Sequence, residues 1–263
     1  MTPLTVAVLG LGEAGSALAA DLVAAGAAVR GFDPAVGDAL DGVQVAADAG
    51  AAAEGSDVVL SVNAATAALE AAGGAVGGLR PGQVYADLNS AGAALKRAVA
   101  EVVTPTGAAF ADVALMDVVT ARGLRTPALA SGPGAEAFAA RLGPLGMPIE
   151  VLGDEPGAAA ARKLLRSVFM KGLAASCLES VAAARAAGCE DWMREEIGRV
   201  LTGADAALLD RLLTGSARHA TRRIHEVRDA RALLVELGVE PRVSAAAEGW
   251  LQALESEAAE RGR

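Results

Sequence analysis

The apolar run Leu4–Leu9 passes straight into Gly10-Leu11-Gly12-Glu13-Ala14-Gly15, and an alanine-rich stretch then continues to about Gly26. A continuous apolar run, broken here only by Thr5, is how a buried parallel strand reads. Strand, then G-x-G-x-x-G, then helix is an order that few folds use. Gly10 suits the tight turn, Gly12 lets backbone approach a pyrophosphate, and Gly15 allows close helix–strand packing. The first amides of the helix then point at the phosphates. In a chain with 31 glycines the spacing alone is weak. Its context makes Gly10, Leu11, Gly12, Glu13, Ala14 and Gly15 a dinucleotide-binding loop.

The same alternation continues downstream. AVRGFD, VQV at Val43–Val45, DVVLSV, QVYADLN, AAFADVALM, PALAS and MPIEVL read as strands, with helical stretches between most of them. Strands alternating with helices of this length give a mostly parallel sheet covered on both faces. After Pro156 the pattern changes. Ala158–Ala187 contains no proline and one glycine, Gly172, which predicts a helix near 30 residues long, and only helical stretches follow. The expected fold is therefore α/β: an N-terminal Rossmann domain over residues 1–156, then an all-α domain over 157–263 led by a long interdomain helix. A cleft is expected at the junction, where substrate can meet cofactor.

Charge and composition narrow the partners. A net charge of -9 argues against a dedicated nucleic-acid binder, which needs a basic footprint. It leaves an anionic cofactor open, because helix amides bind phosphate without net positive charge. Cys177 and Cys189 form no disulfide framework and, with only His219 and His225 beside them, no metal set; two buried or half-buried thiols on a helix are expected. Without a basic leader or an apolar stretch of about 20 residues, neither signal peptide nor membrane span is expected, and the location follows as cytoplasmic.

Asp33 lies 23 residues past Gly10, at the end of the second strand. A carboxylate there accepts from ribose hydroxyls and repels a 2'-phosphate, which favours NAD over NADP. Val62 and Asn63 follow one strand and Asn89 and Ser90 the next, at the edge where open sheets bind ligands; these residue types also serve as turn formers and N-caps. On the long helix Lys163, Arg166, Ser167, Met170 and Lys171 fall at offsets 0, 3, 4, 7 and 8, one broad face. That face is either an anion site or a solvated basic stripe. Arg222, Arg223 and His225 sit in a later arginine-rich helix, as substrate contacts or as surface.

In order along almost the whole chain, these blocks resemble the β-hydroxyacid dehydrogenase superfamily, the 3-hydroxyisobutyrate and 6-phosphogluconate dehydrogenases. GLGEAGSALAADLVAAG resembles its opening block, DLNSAGAALKRAVAE its D-x-S-T segment with Ser90 at the recurring serine, and FADVALM its D-A-P-V-S strand. GMPIEVLGDEPGAAAARKLLRSVFMKGLAASCLESVAAARAAG resembles its linker and central helix. The resemblance implies that Lys163 is the catalytic lysine, with Ser167 where the family has its asparagine. It also implies that Met116, Asp117 and Val118 replace the Ser-Gly-Gly substrate clamp. ARKLLRSVFMKG with RRIHEV and GVEPR is most similar to a 6-phosphogluconate-dehydrogenase-like branch with a distinctive C-terminal domain. A homodimer through the helical domain is implied as well.

Hydride transfer between NAD or NADP and a small hydroxy acid follows as the leading expectation. Lys163 exchanges the proton, Ser167 and Ser90 assist, and Ser90, Met116, Asp117, Val118, Lys171, Arg223 and His225 frame the substrate. Arg166 and Lys171 are the expected sources of positive charge that keep Lys163 neutral. Asp112 is expected to end or bend its strand, and Glu179 to serve structure more than catalysis. An imine or related carbonyl-like reductase and a dinucleotide-binding protein without turnover are the alternatives.

Overall fold

A computed structural model describes residues 3–35 and 40–261. The chain forms two compact units, Met1–Ser167 and Val168–Arg263. In the first, β1 (Thr5–Leu9), α1 (Glu13–Ala24), β2 (Ala28–Phe32), β3 (Val43–Val45), α2 (Ala49–Ala53), β4 (Val58–Ser61) and α3 (Ala68–Ala75) follow in turn. They are succeeded by β5 (Val84–Asp87), α4 (Ala93–Val103), β6 (Ala109–Leu115), α5 (Val119–Arg122), β7 (Ala128–Ser131), α6 (Ala135–Leu142) and β8 (Ile149–Val151). One sheet holds all these strands in the order β3-β2-β1-β4-β5-β6-β7-β8. Among the described residues only the β6–β7 pairing is antiparallel. The expected Rossmann sheet is thus present, and its strand order reverses between β1 and β4.

Period-two alternation sorts the sheet's side chains into two cores. Val6 and Val8 pack with Leu18, Leu22, Phe138 and Leu142 on the face covered by α1 and α6. Ala7, Leu9, Val59, Tyr85 and Phe110 pack on the other face against alanines of α2 and α3 and valines of α4. Alanine on both sides lets the short α2 and α3 lie close to the sheet. Aromatic side chains are few because there is little space to fill.

The second unit is helical. It takes most of the 29-residue α7 (Ala158–Ala186), then α8 (Glu190–Thr202), α9 (Ala206–Arg218), α10 (Ala220–Glu236) and α11 (Arg242–Arg261). Gly188, at φ +76°, stops the chain after α7. Cys189 therefore lies outside a helix and is exposed, contrary to expectation, whereas Cys177 is half-buried. By length and composition alone α7 is apolar enough to cross a membrane, although Lys171 and Glu179 lie within it.

Glu179 has a structural task, as anticipated. Its carboxylate accepts from the amides of Val243 at 2.6 Å and Ser244 at 2.9 Å, capping the start of α11 from another helix. Burial pushes its pKa up, but these amide bonds outweigh burial and the net shift is downward. Glu179→Ala is expected to lower stability by about 1–2 kcal/mol in urea unfolding. Because the folded pKa is depressed, the contribution is full above the ordinary value of 4.5 and fades as pH falls through the folded value. The gap between wild type and Glu179→Ala should therefore shrink at acid pH, and a constant gap would refute the assignment.

Candidate functional site

The loop after β1 is shaped by what a side chain would meet there. Gly10 has φ +98°, and a Cβ on it would lie 2.6 Å from Asn63 Oδ1 and against the Val62 carbonyl. A Cβ on Gly15 would run into the Gly10 carbonyl oxygen. Gly12 differs: nothing lies within 4 Å of its Cβ position. The first two glycine requirements close the turn and seat α1; the Gly12 opening is a space that faces out. With the N-cap at Gly12 and no side chain capping the helix, the first amides of α1 remain free for a ligand.

Asp33 braces this loop. Its carboxylate accepts from the Leu11 amide at 2.7 Å and the Ala35 amide at 2.8 Å. Each carboxylate oxygen keeps a lone pair, so ribose hydroxyls can still donate to it. A cavity of about 320 Å³ adjoins the loop, lined by Gly10, Phe32, Pro34, Asn63, Ala67 and Ala71 among others. Open space at Gly12, free helix amides, a carboxylate at the end of β2 and an apolar cleft together fit a dinucleotide.

The ends of β4 and β5 continue the same edge. Val62 N–H donates to the Leu9 carbonyl at 2.7 Å, tying the β4 exit to β1. The side-chain Nδ2 groups of Asn63 and Asn89 both donate to Ser61 Oγ, each at 3.1 Å, and the Asn63 backbone N–H donates to Asn89 Oδ1. The Asn89 amide in turn donates to Asp87 Oδ1 at 2.9 Å. Ser90, the next residue along the chain, is exposed, and Lys163 Nζ donates to its Oγ at 3.0 Å.

Lys163 reaches Ser90 because α7 starts on the sheet. Asp112 Oδ2 accepts from the Ala160 amide at 2.9 Å, and Ser131 Oγ accepts from the Ala159 amide at 3.0 Å. Two side chains from neighbouring strands thus cap α7 from outside the helix. Asp112 neither ends nor bends its strand: it lies fully buried inside β6, opposite Ser131 of β7. Its other oxygen is 3.3 Å from Lys96 Nζ, and Asp87 Oδ2 is 3.4 Å from the same nitrogen. Lys96 also donates to the Asp87 carbonyl at 2.7 Å. These three side chains are no more than 1% exposed. Removing one member of such a buried pair costs about 3–5 kcal/mol, since a charge is left alone in the core.

Burial pushes the Lys163 pKa below 10.5, helped by the positive charges of Lys96 and Arg166, with Asp112 opposing. Of the two cations expected in this role, Arg166 acts on Lys163 and Lys171 does not; the other cation is Lys96 on α4. Lys96 was missed, although it lies on the face shared by the buried Val99, Ala100 and Val103. Among the described residues no side-chain hydrogen bond joins Ser167 to Lys163. Met116 is half-buried and Val118 exposed, while Asp117 pairs with Arg122 at 2.6 Å. In the second unit Lys171 and His225 are exposed, and Arg223 donates to Ser216 of α9 at 2.6 Å. No group of three or more His, Cys, Asp or Glu is placed to hold a metal among the described residues.

Residues 5–116 match the NAD binding domain of 6-phosphogluconate dehydrogenase. That match shows an NAD(P)-binding domain of the 6-phosphogluconate dehydrogenase type in this part of the chain. Residues 184–254 match a domain of unknown function, DUF1932. A Methanothermus fervidus protein described as an uncharacterized 28.5 kDa protein in 7S RNA 5'region is 31% identical over 96 residues. That match spans 36% of this chain and 38% of the curated relative. A conserved hypothetical protein from Sinorhizobium meliloti 1021 is 29% identical with a TM-score of 0.63, over 96% of this chain and 88% of that one. Conserved protein MTH1747, described as structurally similar to 3-hydroxyacid dehydrogenases, is 28% identical with a TM-score of 0.61, over 96% and 98%. A reductive aminase from Aspergillus terreus, solved with NADPH and ethyl levulinate, is 21% identical with a TM-score of 0.79, over 97% and 95%. At that identity the likeness is one of fold. The chain thus carries an NAD(P)-binding domain in a dehydrogenase or reductase fold.

The two kinds of glycine requirement separate by experiment. Gly12→Val should keep the wild-type melting curve yet weaken NADH or NADPH binding, read by fluorescence, by about tenfold or more. Gly15→Ala should cost about 1–3 kcal/mol of stability through its clash with the Gly10 carbonyl. Equal binding in the Gly12 variant would remove that space from the cofactor site.

Proposed function

We propose that the protein is an NAD(P)-dependent oxidoreductase that moves hydride between the nicotinamide and a small, anionic hydroxy acid, with Lys163 as general acid/base. The observation that carries this reading is the Lys163–Ser90 hydrogen bond at 3.0 Å. It brings an amine of lowered pKa to the end of β5, on the same sheet edge as the glycine loop. Bound at that loop, a nicotinamide dinucleotide supplies the hydride acceptor or donor. In oxidation the neutral Lys163 amine takes the proton from the substrate hydroxyl; in reduction its ammonium returns one. Ser90 orients the amine and offers its hydroxyl to the substrate. Ser167 is the third proposed catalytic residue, one turn beyond Lys163 on α7.

Asp33 supports a preference for NAD, because its carboxylate repels a 2'-phosphate. A cytoplasmic homodimer completes the reading. Its support is the bare apolar side of α7, where Leu165 is 71% and Val168 73% exposed. In the proposed cytoplasmic setting such side chains need a second protein surface.

An imine or related carbonyl-like reductase is the second reading. The loss of the Ser-Gly-Gly clamp and the fold shared with the reductive aminase favour it. Asp117 weighs against it, since Arg122 already neutralises the carboxylate that a cationic substrate would need.

Three measurements test the proposal. Lys163→Ala should lose about 100-fold or more in turnover on a panel of small hydroxy acids while NADH affinity stays near wild type. Oxidation should quicken as pH rises through the depressed Lys163 pKa, below 10.5, because only the neutral amine accepts a proton. Dissociation constants should favour NADH over NADPH, and Asp33→Ser should narrow the ratio. Full turnover in Lys163→Ala would move proton transfer to another group, whereas turnover of imines alone would select the second reading.

A further inference from the structure

Buried charge in the first unit is concentrated at one place, and the proposed chemistry leaves it unused. Asp87 and Asp112 are fully buried, at the end of β5 and within β6, in strands whose other buried residues are mainly apolar. Lys96 reaches between them from α4. Asp87 Oδ2 and Asp112 Oδ1 have no aligned hydrogen-bond donor, so the Lys96 charge is what holds those two oxygens. Burial raises the Asp87 pKa, against Lys96 and the Asn89 amide. Both ends of the cluster lead outward. Through Asn89, Asp87 is bonded to the β4 exit beside the glycine loop. Through Asp112 Oδ2, the cluster holds the Ala160 amide, less than one turn before Lys163.

We infer that Lys96 and Asp112 are positioning residues for Lys163: their buried pair fixes the start of α7 on β6 and presents one cation and one anion to the Lys163 amine. This rests on Lys163 being the proton-transferring group. Geometry gives the two residues distinct parts. Asp112 supplies the cap that sets the helix register, so that Lys163 meets Ser90. Lys96 compensates Asp112 within the core and adds positive charge beside the amine. The charged groups that act on Lys163 are Lys96 from α4, Asp112 from β6 and Arg166 from its own helix. A lone lysine on an exposed helix would have none of these constraints.

The proposal is tested on the full chain without any substrate. Trace acetylation with acetic anhydride across a pH series, followed by mass spectrometry, gives the midpoint at which Lys163 becomes reactive. In wild type that midpoint should lie below 10.5, the ordinary lysine value. Asp112→Asn keeps an oxygen for the Ala160 amide but removes the negative charge, and should lower the midpoint by about half a pH unit or more. Lys96→Met removes the positive charge and should raise it by a similar amount. Loosening of the helix start alone would expose Lys163 and raise the midpoint in both variants, so a rise in Asp112→Asn overturns the proposal. An unchanged midpoint there, or an ordinary wild-type midpoint, overturns it too. If Lys96→Met does not fold, Asp112→Asn and the wild-type value decide. Because labelling reports charge whether or not Lys163 transfers protons, loss of the Lys163 assignment would show separately, as full turnover in Lys163→Ala.

Discussion

The Asp87–Lys96–Asp112 cluster ties α4 and the start of α7 to β5 and β6, two strands the backbone ladder already pairs. β5, β6, α4 and the start of α7 each contribute an atom to it. Three ionisable side chains in a core are costly to desolvate, and mutual attraction roughly offsets that cost only when the geometry is good. Such a cluster contributes little net stability compared with an apolar replacement. What it does is define a single arrangement, because any shift of α7 by one residue would leave Asp112 Oδ2 without its amide.

Small residues set the geometry on the opposite side of the sheet edge. Gly10 and Gly15 are sites where backbone passes backbone with no room for a methyl group, and Gly12 marks where room is left. Alanine in β1, α2 and α3 extends the same economy of volume through the core. Packing of this kind tolerates few enlargements, since interiors are already close to crystal density.

Much of this was legible in the sequence. The strand–glycine–helix order, the alternation to β8 and the long helix near Ala158 all follow from periodicity and turn residues, which act locally. The contact of Lys163 with Ser90 could also be anticipated, since the resemblance singles out each of them and the fold brings them together. Asp112 and Lys96 were misread or missed for one reason: each looks anomalous alone. Read together, acids inside the apolar strands VYAD and AFADVAL demand a buried cation, and Lys96 stands on the apolar face of α4 with Val99, Ala100 and Val103. That inference needs the strands to be neighbours, and pairing is set by tertiary structure. The capping of α11 by Glu179, 64 positions away from Val243, is invisible to local pattern for the same reason.

Asp33 spans the gap between framework and selectivity. Its two oxygens already fasten the turn at Leu11 and Ala35. A lineage drifting towards a phosphorylated ribose would have to give up this fastening along with the negative charge, and replace both at once. Under the proposed preference for NAD, nucleotide choice and loop rigidity are inherited together here, and selection on either one drags the other with it.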